Sequence, residues 1–164
     1  MQGPNKPDIT TREGFAAAAA PLERLLLSVS YGVLRSWDLA ADAVQNALLK
    51  GWRSRYSVKD AQSFRPWLVR IAVNESKNLL RRGFDLELKE NVADAPKDRD
   101  LQMDVRQAVY SLPEKYRLPV MLFYFEGMAV ADIAQALDLP QGTVISQLHR
   151  GRERLREELK DYGI

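Results

Sequence analysis

The sequence predicts an all-α protein made of two small helical domains joined by a flexible acidic linker. Three observations carry this reading. Apolar residues recur at three- and four-residue intervals over most of the chain. No run alternates apolar and polar residues for long enough to make a strand. Residues 85–104 are acidic, interrupted by Pro96 and poor in large apolar side chains, so burial there cannot offset the entropy of ordering.

Each element follows from local chemistry. Residues 1–12 hold two prolines and a glycine with few large apolar groups, and read as a frayed tail. From Phe15 the pattern turns helical, with Leu22, Leu25, Leu26 and Val29 on one face, and Pro21 predicts a start or kink because it lacks an N–H. A second helix is expected over 39–53, on the stripe Ala43, Val44, Ala47, Leu48 and Trp52. Residues 54–63 lack a period and read as a loop, and Phe64 to Arg82 as a third helix stopped by Gly83. Beyond the linker, helices are expected over Val105–Leu112 and Glu114–Phe125, parted by Pro113, then over Val130–Leu137. A turn at Asp138–Gly142 leads into a last helix from Thr143 to Lys160. The domains so predicted are 13–84 and 105–164, with 1–12 as tail and 85–104 as linker.

Composition narrows the function. The 164 residues include no cysteine, which removes disulfide scaffolds, thiol nucleophiles and cysteine-ligated zinc. His149 is the only histidine, so neither a histidine-rich metal site nor a Ser-His-Asp triad fits, and a surface or phosphate-contacting role suits it better. There is no glycine-rich phosphate loop and no grouping of carboxylates for acid–base work. No enzymatic activity, cofactor or metal is expected. No apolar run approaches the roughly 20 residues of a membrane span, and the N-terminus lacks the pattern of a signal peptide, so a soluble cytoplasmic protein without membrane insertion is expected. The net charge of +2 hides an uneven distribution: 1–84 carries a net +6 and 85–104 a net −4. Residues 43–82 hold nine basic side chains against Asp60 and Glu75 alone, a concentration that suits a polyanion.

Two helix faces suit nucleic acid. At 100° per residue, Leu68, Val69, Ala72, Val73, Leu79 and Leu80 of the third helix fall on one broad face. Trp67, Arg70, Ile71, Asn74, Lys77, Asn78 and Arg81 fall opposite. Cations neutralise phosphates, amides bond base edges and aromatic rings stack on unpaired bases, so this face suits opened or single-stranded nucleic acid. The plainer reading is a solvated surface with Trp67 folded back onto a neighbouring helix. The stretch from Asp132 to Leu148 has helix-turn-helix spacing, with small Ala134 at the crossing and a glycine near the second helix. Val144, Leu148, Gly151, Leu155 and Leu159 would dock that helix, leaving Thr143, Ser146, Gln147 and Arg150 to meet base edges in a major groove.

The segments Ala40–Trp52, Phe64–Arg82 and Leu112–Arg156 together resemble the bacterial RNA polymerase sigma factors of the extracytoplasmic function type, group 4 of the sigma-70 family. They are similar, in order, to that family's core-binding region 2.2, its regions 2.3 and 2.4, and its region 4. The resemblance implies a transcription initiation factor that binds core RNA polymerase and recognises −10 and −35 promoter elements. It implies that Asp42, Gln45 and Leu48 meet the β′ clamp helices. Trp67, Arg70, Asn74, Lys77, Asn78 and Arg81 would face the −10 DNA, with Asn74 near a pocket for a flipped base that the loop Arg53–Ser63 walls. Thr143, Ser146, Gln147 and Arg150 would read the −35 element, and the helix around Val120–Phe125 would take the β flap tip. An anti-sigma factor is an implied partner. This chain departs from the family pattern at Asn46, where an acid is usual, at Gln147, where arginine is common, and at the alanine run Ala16–Ala20. Two other classes compete: a helix-turn-helix regulator with a sensing N-terminal domain, and a helical adaptor. Neither needs a basic stripe with tryptophan and amides on the third helix.

Overall fold

The computed structural model describes residues 6–82 and 101–160, and every regular element among the described residues is a helix, without a strand. The first cluster begins at Asp8, inside the stretch expected to fray. The Asp8 carboxylate accepts bonds from the Thr10 N–H and hydroxyl at 3.0 and 2.6 Å, which hold its pKa below the ordinary carboxylate value. The Thr11 hydroxyl then accepts from the Gly14 N–H at 3.0 Å and caps α1 (Arg12–Ala19). A Cβ on Gly14 would lie 1.7 Å from the Asp8 carbonyl oxygen, so this turn requires glycine.

Pro21 interrupts the helix as expected, through a single tight turn at Ala20–Leu22, and α2 (Glu23–Leu34) follows. Taken together, Arg12–Leu34 has the length and mean hydropathy of a membrane span, yet half of its apolar window is packed inside the protein. Leu25, Leu26, Val29 and Val33 are core residues. Arg35 ends α2 in the left-handed region (φ 58°), and Ser36 caps α3 (Trp37–Arg53), which starts two residues before the expected 39. Ala40, Ala43, Ala47 and Gly51 make a small-residue seam on α3, so α2 and α4 (Phe64–Arg81) approach closely. A Cβ on Gly51 would stand 3.1 Å from Leu68 and 3.3 Å from Phe15. Residues 54–63 form the loop expected of them, with one tight turn at Arg55–Ser57.

In the second cluster α5 (Leu101–Ser111) starts four residues before the predicted 105, inside the stretch assigned to the linker; the rest of that stretch, with Gly83, lies outside the described residues. After Pro113 comes α6 (Glu114–Val120), where Pro119 removes a backbone donor and the chain widens into a π-turn over Met121–Phe125. Then come α7 (Val130–Leu137) and α8 (Gln141–Lys160). The turn between them is made by Asp138 in the left-handed region (φ 56°), its geometry closed by the Leu139 N–H donating to Ala134 at 2.9 Å. Gly142, the glycine near the second helix, lies in the first turn of α8 and meets nothing within 4 Å. Gly151 does carry a constraint: a Cβ there would meet Val120 at 2.7 Å where α8 crosses α6.

The two clusters pack against each other. α7 lies along α4, α6 against α2, and one continuous apolar core runs through both, from Leu26, Leu68 and Val69 to Met121, Ile133 and Val144.

Candidate nucleic-acid and polymerase interfaces

On α4, Leu68, Val69, Ala72, Val73 and Leu79 are buried and Leu80 is half-buried, as the wheel predicts, while Arg70, Asn74 and Arg81 are exposed and Lys77 and Asn78 partly so. Trp67 departs from the wheel. It is half-buried, 5.9 Å from the Phe64 ring and close to the space left by Gly51, at the end of an aromatic cluster that joins Phe15, Trp52 and Phe64. The large indole reaches back across the small-residue seam of α3, which a wheel of Cβ directions cannot register. Ile71 likewise packs on the core edge. Two of the three cations are also paired: Arg70 stands 3.4 Å from Asp138 and Lys77 3.8 Å from Glu114, both acids of the second cluster.

The loop after α3 is braced by Arg55. Its guanidinium lies 3.7 Å over the Trp52 ring and donates to the Trp52 and Thr10 carbonyls at 2.8 and 3.0 Å. Tyr56 stands beside it with 73% of its surface exposed. Composition alone gave no sign that Arg55 ties the N-terminal turn to this loop.

On α3 the exposed stripe is Asp42, Gln45, Asn46 and Leu49. Leu48, assigned to this surface from the sequence, is half-buried and packs on the core. Leu49 takes its place with 55% exposure. The physical reason is angular: from Asp42, Leu49 lies two turns on at about −20°, whereas Leu48 falls about 120° away.

On α8, Val144, Leu148 and Gly151 are buried and dock the helix, with Leu155 packed at the core edge. Ser146 and Arg150 are exposed and Thr143 half-buried, so these three line an open groove of about 330 Å³. Gln147 lines it too but sits lower, its amide oxygen buried without a hydrogen-bond partner. Lys115 and Tyr116, at the start of α6, form the other wall. Burial of the Tyr116 ring opposes ionisation, but bonding to Arg150 and Lys115 outweighs it and sets the phenol below its usual pKa. The signal for these two residues is tertiary, since they lie far from α8 in sequence. His149 pairs with Glu153 at 3.2 Å at the groove's margin. The π-turn leaves Phe123, Tyr124 and Phe125 exposed, with the Phe123 and Tyr124 rings edge-on.

Among the described residues no three His, Asp or Glu side chains converge as a metal site would require. What converges are polar, cation-bearing helix faces, on α4 and on α8.

Comparison with known proteins agrees. The family model described as "Sigma-70 region 2" matches residues 19–83, and "Sigma-70, region 4" matches 102–155. The chain is 28% identical to the ECF RNA polymerase sigma factor SigW of Bacillus subtilis over 92% of this chain and 91% of that one. It is 33% identical to the RNA polymerase sigma-H factor of Pseudomonas aeruginosa, over 74% of this chain and 73% of the relative. A solved structure of the sigma factor RpoE from Bartonella quintana, in complex with the anti-sigma factor NepR, superposes with a TM-score of 0.74 at 27% identity, covering 90% of this chain and 98% of that one. CnrH, solved with the cytosolic domain of CnrY, shares the fold (TM-score 0.68, 22% identity, 92% and 90% of the two chains). With both family regions matched in order across two helical clusters, the chain belongs to the extracytoplasmic function, or group 4, branch of the sigma-70 family, non-catalytic factors that direct bacterial RNA polymerase to promoters.

Proposed function

We propose that the first cluster works as region 2, docking on the β′ clamp helices of core polymerase through Asp42, Gln45, Asn46 and Leu49 and engaging the −10 element through α4. On α4, Asn74 offers two donors and an acceptor to an extruded base, and Asn78 extends that amide surface. Arg70, Lys77 and Arg81 supply charge to the strand's phosphates. Trp67 braces the helix against Phe64, and the exposed remainder of its ring borders the same face. The loop Arg53–Ser63, braced by Arg55 and carrying the exposed Tyr56, would help to choose that base.

The second cluster works as region 4. Thr143, Ser146, Gln147 and Arg150 read the −35 element, and Lys115 on the opposite wall of the groove takes a phosphate. The aromatic turn Phe123–Phe125 meets the β flap. The single observation that supports this reading most is the presence of two polar, cation-bearing helix faces, one on each cluster, each backed by an apolar stripe. A helix-turn-helix regulator needs only one.

A factor acting with RNA polymerase works in the cytoplasm. An anti-sigma partner belongs to the same reading, because a relative solved in complex with one matches this chain's arrangement over nine-tenths of its length. Promoter-directed transcription with purified core polymerase tests the proposal. Core polymerase plus this chain should yield discrete start sites on host genomic fragments; an unchanged transcript pattern would refute it.

A further inference from the structure

We propose that Arg55 is a positioning residue for promoter choice: it ties the loop Arg53–Ser63 to the N-terminal turn Asp8–Thr11, so that residues ahead of α1 help to set which −10 base is preferred. The inference rests on reading that loop as part of the −10 site.

A cation in a loop beside DNA would ordinarily turn outward to a phosphate. Arg55 turns inward. Each of its three guanidinium nitrogens donates within the protein: Nε to the Thr10 carbonyl at 3.0 Å, Nη1 to the Trp52 carbonyl at 2.8 Å and Nη2 to the Tyr56 hydroxyl at 3.4 Å. Its Cζ lies 3.7 Å from the centre of the Trp52 ring and 4.6 Å from that of Tyr56. One side chain thus joins the end of α3, the exposed Tyr56 and the turn ahead of α1.

Both anchors are themselves held. Trp52 meets Phe15 edge-on at 5.6 Å, Phe15 meets Phe64 at 5.7 Å, and Phe64 reaches Trp67 at 5.9 Å, so the chain of rings that starts under Arg55 ends on α4. On the other side the Asp8 carboxylate fixes Thr10 through its N–H and hydroxyl, and Ile9 and Val58 pack on the same core from the turn and from the loop. Near the far end of the loop, the Asp60 carboxylate accepts from the Ser63 N–H at 2.8 Å; that bond, with the Lys6 charge adding to it, holds the Asp60 pKa below the ordinary range. The N-terminal segment therefore bears on the loop at Arg55 and again at Asp60. This turn lies ahead of residue 19, where the match to region 2 begins. A loop with a single short turn of its own discriminates between bases only as far as its backbone is held, because ordering it on the DNA would weaken binding to every sequence. The bonds of Arg55 order it before DNA arrives.

The test uses the full chain in holoenzyme, transcribing from a promoter that the wild type recognises with its −10 positions randomised. The readout is the preference ratio at each position, which a change in overall charge leaves alone, beside the −35 preference and core-polymerase affinity. Arg55→Ala should lower the preference at one −10 position about fivefold, with the other two readouts unchanged. Arg55→Lys keeps the charge but not the planar fork, and should show the same loss. Asp8→Ala frees Thr10 while leaving the backbone carbonyl that Thr11 bonds, and should lower the same preference about twofold. Added to Arg55→Ala, it should lower it no further, since both act through one contact. Unchanged preference in Arg55→Ala overturns the proposal, whatever its stability. Full preference in Arg55→Lys reduces the residue to a charge and overturns the brace, and an additive loss in the double variant overturns the coupling to the turn. If circular dichroism shows Arg55→Ala unfolded, Arg55→Lys and Asp8→Ala carry the test. A wild-type holoenzyme without any −10 preference would mean instead that the reading of the first cluster has failed.

Discussion

On α4, Arg70 and Lys77 stand opposite carboxylates of the other cluster, whereas on α8 Ser146 and Arg150 line an open groove whose far wall is Lys115 and Tyr116. Both helices bury one apolar stripe and present a polar one, so their patterns look equivalent. The difference arises from their neighbours. Among the described residues the polar face of α8 opens onto a groove, while α4 is central, packed by α2, α3 and α7. A helix face free of its own cluster can still be taken by a second one.

The largest test of this contrast is chemical. Asn74→Ala and Lys77→Ala should impair open-complex formation by about tenfold or more while core-polymerase binding persists, because a lost base or phosphate contact costs about 1–3 kcal/mol. Permanganate footprinting on a promoter recovered by the transcription assay reads it. Normal melting would make α4 a mere docking face for α7.

On the open side, Arg150→Ala should weaken −35 binding by about 1–3 kcal/mol and relax preference at one base pair if the guanidinium reads a base. A phosphate contact would instead lower affinity for all sequences and flatten the salt dependence. Gln147→Arg should move the preferred sequence, since arginine favours guanine and the present amide keeps its oxygen buried. Selection from a randomised −35 library distinguishes these outcomes; identical selected sequences would remove α8 from the reading role.

A smaller comparison lies within α3. Leu49→Ala should lower polymerase affinity with folding stability changed by less than about 0.5 kcal/mol, as for an exposed site. Leu48→Ala should cost about 1–2 kcal/mol of stability, because that side chain packs on the core edge. Urea unfolding beside a core-binding assay would show the two effects exchanged if the stripe were misplaced. The smallest expected effect is at the N-terminal turn: Thr11→Ala removes the α1 cap and should cost about 1 kcal/mol, read as a lower urea midpoint.

Much of this was legible in the residues. The apolar periods of α2, α3, α4, α7 and α8, the break at Pro21 and the paired polar faces are local properties, set by 3.6-residue repeats and by proline's missing donor. Helix ends were less legible: the α1 cap depends on Asp8, Thr10 and Thr11 bonding one another, and α5 begins at Leu101 within a run whose charge suggests a linker. The resemblance to the sigma family likewise lay in ordered local segments, and the family regions match in that order.

Tertiary structure alone decided the rest. Trp67 turned back because Gly51 on another helix leaves space, Leu49 rather than Leu48 faces outward because α3 is packed on two sides, and Lys115 and Tyr116 joined the α8 groove from a separate helix. The acids opposite Arg70 and Lys77 come from far along the chain. A periodic pattern encodes which way a side chain points relative to its own helix; what stands in front of it depends on how whole faces dock, and that is fixed by shape and charge summed over residues distant in sequence.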